Sequence, residues 1–110
     1  MEDKYTKCGI DKALVEETFG DLKEYERTLK FYLEDEFFED LPAFLETEDY
    51  AMAKDAAKGL YILADELKVF TLYQALLDVY EDLCYEEYKE LSLKAAVVTA
   101  LHKQLQENFR

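Results

Sequence analysis

The chain has 110 residues, half of them hydrophobic and 35% charged, with 26 acidic against 13 basic side chains and a formal charge of −13. That length suits one domain, residues 1–110, with a sizeable core. The acidic excess repels phosphate backbones and anionic lipid surfaces, which argues against nucleic acid or a membrane surface as partner.

Glycine (3) and proline (1) are scarce, leaving little from which to build turns and irregular loops, so the chain is expected to be mostly helix. No apolar run approaches the ~20 residues that cross a bilayer. The start, MEDKYTKCGI, lacks the basic-then-apolar layout of a signal peptide, and a cytoplasmic location is expected. Cys8 and Cys84 form no CxxC or metal-knuckle motif and are expected to be reduced thiols.

In chain order, a loose N-terminal arm is expected first. Ile10, Leu14, Val15 and Phe19 then mark a short helix that stops at Gly20. A second helix is predicted from Asp21 through Leu22, Tyr25, Leu29, Tyr32 and Leu33 to Phe37, Phe38 and Leu41, with a kink or break at Pro42 before a last turn through Phe44 and Leu45. Thr47, Glu48 and Asp49 supply an N-cap region for the third long pattern, where Ala53, Ala57, Leu60, Ala64 and Leu67 make a narrow apolar face of mostly small residues.

A turn at Glu66 to Val69 precedes a helix carrying Leu72, Leu76, Val79 and Leu83. The last pattern runs through Tyr88, Leu91, Ala95, Val98, Leu101, Leu105 and Phe109. The expected fold is all-α, an antiparallel up-down four-helix bundle with a short additional N-terminal helix.

The stretch DYAMAKDAAKGLYILADEL, from Asp49 to Leu67, resembles the site helix of the histidine-containing phosphotransfer domains, which relay phosphoryl groups between receiver domains. In that family an Asp opens the site helix, an Ala precedes the histidine, and the pattern His-x-Leu-Lys-Gly-x-Ala-x-x-Leu-Gly follows. Asp49, Ala57, Leu60, Ala64 and Leu67 take the Asp and apolar places. The histidine place is then Lys58, the family lysine is Tyr61, and the two glycines are Ile62 and Lys68.

A rival register matches Lys58-Gly59 to the family Lys-Gly pair and puts Asp55 where the histidine belongs, but it sets Lys54 and Tyr61 at places expected to be small and buried. Both registers lack the imidazole. A lysine is ordinarily protonated near neutral pH and has no free lone pair for attack, and an aspartate is a weak nucleophile facing an already acidic receiver pocket. The resemblance therefore implies a domain that binds a response-regulator receiver or a histidine kinase module without carrying phosphate. It has no catalytic residues, metal or cofactor, and its partner-binding face is Lys54, Asp55, Lys58, Tyr61, Ile62 and Asp65. Tyr61 and Ile62 either project as an apolar interaction patch or widen the buried stripe.

The only histidine, His102, lies at the edge of the last stripe with no Lys-Gly after it and reads as a packed structural residue. Eight acids and no bases lie between Phe31 and Ala53, yet no calcium-loop spacing occurs and one histidine cannot supply Glu-x-x-His pairs. They read as a solvated acidic face that steers toward a basic partner surface. Two alternatives stand beside the silent binder: an active phosphorelay protein using His102 or another unusual residue, and a helical interaction protein unrelated to phosphorelay.

Overall fold

A computed structural model describes residues 3–110; residues 1–2, the start of the expected N-terminal arm, lie outside the described residues. The described residues form helices α1 (Lys4–Lys7), α2 (Lys12–Phe19), α3 (Leu22–Leu33), α4 (Phe37–Glu46), α5 (Tyr50–Glu66), α6 (Phe70–Cys84) and α7 (Leu91–Asn108), with no strand among them. None of these helices is long and apolar enough to cross a membrane. α5 packs on α4 and α6, and α7 likewise packs on α4 and α6, while α3 lies against α2 and α7.

The N-terminal arm is not loose. Asp3 caps α1 by accepting from the Thr6 amide at 2.9 Å. Tyr5 is buried edge-on against Phe109 and beside Tyr25. Its hydroxyl donates to Glu26, which also pairs with Lys4. Burial pushes the Glu26 carboxyl up, but the hydrogen bonds from Lys4 and Tyr5 outweigh it and hold the group below the ordinary carboxylate range. The chain then turns at Gly9, whose φ of +70° and close approach to Thr71 of α6 leave no room for a side chain.

The predicted second helix is two helices, and the break falls at Glu34–Glu36 instead of Pro42. Three consecutive acids at a helix C-terminus oppose the macrodipole, whereas Glu39 and Asp40 in the first turn of α4 favour it. Asp35 also accepts from the Phe37 amide at 2.9 Å, a local bond that competes with helix continuation. The freed Leu33 carbonyl is taken by His102 Nε2 of α7 at 2.7 Å. Pro42 sits inside α4 one turn after its start, where it forgoes only the bond to the Phe38 carbonyl.

The connections after α4, α5 and α6 share one device. Glu48, Lys68 and Glu86 each take a left-handed φ of 55–61° just past the helix end. The next amide then reaches back five residues, Asp49 to Phe44, Val69 to Ala64 and Glu87 to Asp82.

The core joins Leu29, Leu41, Leu60, Leu72, Leu76, Val79 and Leu105, each almost wholly buried. α3 is fastened to α5 by two buried tyrosines. Tyr32 donates to the Leu60 carbonyl at 2.6 Å and Tyr25 to the Leu67 carbonyl at 2.7 Å. Burial raises both phenols above the ordinary tyrosine range, so they remain neutral donors. Leu67 lies past the last turn of α5, where carbonyls have no intrahelical partner, whereas Leu60 is mid-helix. Tyr25→Phe is therefore expected to cost about 1–3 kcal/mol and Tyr32→Phe about 1 kcal/mol, and urea unfolding of both variants checks the order.

Candidate functional site

α5 begins at Tyr50 because Asp49 accepts from the Met52 amide at 3.3 Å, and it ends at Glu66 before the left-handed Lys68. Its buried residues are Ala53, Ala56, Ala57, Leu60 and Ala64. With the inward face so defined, helical spacing puts Gly59 toward α4 and Tyr61 toward α6, and the neighbours agree. A Cβ on Gly59 would meet the Phe37 ring at 3.4 Å. The Tyr61 ring lies 5.9 Å from Tyr73 and 5.2 Å from Tyr80, both of α6.

The remaining face points to solvent. Asp55, Lys58, Ile62 and Asp65 are all exposed and follow one another by three or four residues, forming one continuous stripe along the middle of α5. Ile62 is 42% exposed and gives this stripe an apolar centre between charges of both signs. Among the described residues neither Asp55 nor Lys58 forms a salt bridge, which leaves both charges open to a partner.

The six residues expected to form a partner face therefore divide. Asp55, Lys58, Ile62 and Asp65 are brought together, while Lys54 and Tyr61 are half-buried and turned toward α6. Tyr61 widens the packed stripe and Ile62 does not. Asp55 and Lys58, the two alternatives for the phosphoacceptor place, both project from mid-helix, one turn apart.

Sequence reasoning passed over Met52 and Leu63, which are 46% and 39% exposed and border this stripe on the side of α4. Their one signal is spacing, since Met52, Gly59 and Leu63 recur at helical steps beside the buried alanines. Beside Tyr61, the hydrogen bond with Cys84 pushes the Tyr80 phenol up from its ordinary range.

His102 lies far from this stripe on α7. Its ring stacks on Phe38 with centroids 3.9 Å apart, and because the Leu33 carbonyl can only accept, Nε2 carries the proton. Among the described residues, no group of three His, Cys, Asp or Glu side chains is placed to hold a metal ion. No protein-family model, curated protein or solved structure matches the chain.

Gly59 has an ordinary helical backbone and faces a ring that a methyl group would touch without overlap. Gly59→Ala is expected to stabilise the fold by about 0.5–1 kcal/mol, by lowering the entropy of the unfolded chain. A higher thermal midpoint in calorimetry checks it; a loss of stability would mean that Phe37 cannot yield.

Proposed function

We propose that the chain is a phosphotransfer-like four-helix bundle, α4 to α7 with α1–α3 added at the N-terminus, that docks a signalling partner through α5 without carrying phosphate. The observation that supports this most is the exposed mid-helix stripe of Asp55, Lys58, Ile62 and Asp65 on a helix whose inward face is alanine-rich. α4 and α6 flank α5, and α7 closes against both, an order that suits an up-down bundle.

The partner we infer is a response-regulator receiver domain, with a histidine kinase module as the alternative. A receiver presents an acidic pocket where it is phosphorylated. Lys58 suits such a pocket electrostatically, and Ile62 supplies the apolar anchor that carries much of the energy of small interfaces. Without an imidazole on the stripe, docking ends in occupation of the receiver and not in transfer. The domain then acts as a competitor of an active phosphotransfer protein, or as an adaptor, in the cytoplasm, where Cys8 and Cys84 stay as thiols.

The relay alternative needs a nucleophile elsewhere. His102 is a poor one, with its ring stacked and Nε2 engaged by a carbonyl.

The test uses receiver domains encoded by the same genome. Calorimetric titration is expected to show binding that Ile62→Asp weakens by at least tenfold, about 1.4 kcal/mol. Incubation with the phosphorylated receiver is expected to leave no acid-labile phosphoryl group on the wild-type chain, and its appearance would sink the silent reading. Installing the missing imidazole separates the registers: whichever of Asp55→His and Lys58→His accepts phosphate marks the family histidine place.

A further inference from the structure

α4 and α7 pack on each other, yet a cleft of about 410 Å³ lies between them, within the roughly 300–1,000 Å³ typical of small-molecule sites. Pro42 and Leu45 of α4 form one apolar wall and Leu91 and Ala95 of α7 the other. Two tyrosines also line it: Tyr50, the first residue of α5, and Tyr88, in the connection before α7. Their rings stack with centroids 4.0 Å apart and planes 8° from parallel, so only their outer faces and edges are left to the cleft. Tyr50 is the one α5 residue in the lining, so the cleft is separate from the stripe of Asp55, Lys58, Ile62 and Asp65, and the inference does not rest on what that stripe binds.

The polar groups are few. The Thr99 hydroxyl donates to the Ala95 carbonyl at 3.2 Å, which leaves Ser92, the phenols and Glu46. Glu46 is the one charged side chain in the lining, and among the described residues it forms no salt bridge. No base lies between Phe31 and Ala53, so α4 brings none to the cleft. Lys89, next to Tyr88 in the chain, lines a different groove with Asp82, Glu87, Glu90 and Lys94. Burial, then the charge of Glu86, pushes the Tyr88 phenol up from its ordinary range, so the ring stays neutral and a second carboxylate acts at that end.

We propose that this cleft binds a small organic ammonium ion with an apolar body. The sign of the ligand charge follows from two independent features. A lone carboxylate repels anions and attracts cations, and the negative face of an aromatic ring attracts a cation even when, as in a quaternary ammonium, it has no proton to donate. The walls of Pro42, Leu45 and Leu91 take the apolar body. The overall charge of −13 concentrates such ions near the surface, and the cleft selects among them by shape.

An NMR titration of the full labelled chain with benzyltrimethylammonium, at fixed ionic strength, tests it. Saturable shifts are expected at the amides of Glu46, Tyr50, Tyr88 and Ser92. Benzyl alcohol and phenylacetate, of similar size but neutral and anionic, are expected to bind at least about threefold more weakly. Glu46 and Tyr88 are both exposed, so Glu46→Gln and Tyr88→Leu leave the core intact, and each is expected to weaken binding about two- to fivefold. Glu16→Gln removes the same charge on α2 and is expected to change nothing. Shifts that never saturate, or that Glu46→Gln and Glu16→Gln reduce alike, overturn the proposal, because they report only the pull of an acidic surface on any cation. Phenylacetate binding as tightly as the ammonium ion overturns it too.

Discussion

The alanine face of α5 is the constraint from which the rest of the molecule follows. Ala53, Ala56, Ala57 and Ala64 are all but fully buried around Leu60, and each is too small to hold a neighbouring backbone away. α4 and α6 can therefore both close on α5, which leaves Asp55, Lys58, Ile62 and Asp65 on the side turned to solvent. Larger side chains in place of the alanines would force the neighbours outward, at a cost of about 1–3 kcal/mol for each overpacked position. The outward direction of Asp55, Lys58 and Ile62 is thus set by residues on the opposite side of the same helix.

Around that element the chain uses polar bonds sparingly and at joints. Tyr25 and Tyr32 tie α3 to carbonyls of α5, His102 closes the break between α3 and α4, and Lys4 and Tyr5 fasten α1 to Glu26. No described buried side-chain polar atom lacks a partner. Joints of this kind add about 1 kcal/mol each when satisfied and cost more when half of one is removed. They fix where the helices sit, while the apolar contacts supply most of the energy that holds them.

Much of this was legible in the sequence because α5, α6 and α7 carry long, regular apolar repeats bounded by Asp49, Lys68 and Glu86. The break between α3 and α4 was misplaced because proline is a strong local signal. The competing effects, three acids against a helix C-terminus and Asp35 capping the next helix, are individually weak and act together. The N-terminal helix was missed because α1 has no repeat, only Tyr5, whose partners Phe109 and Glu26 are distant in sequence. On α5, steps of three and four put Asp55, Lys58, Ile62 and Asp65 on one exposed face. Lys54 and Tyr61 fell outside the group because the direction of α6 is a tertiary fact. The cleft between α4 and α7 escaped notice because Tyr50 and Tyr88 belong to different helical patterns and meet only in the fold.

The outward stripe of α5 is the docking face proposed for this molecule. The most direct measurement is a two-dimensional NMR titration of the isotope-labelled chain with a receiver domain from the same genome, following every backbone amide. Shifts concentrated between Asp55 and Asp65, with the amides of α2 and α3 unmoved, are what the account predicts. Shifts confined to the acidic stretch between Phe31 and Ala53, or none at saturating receiver, would contradict it.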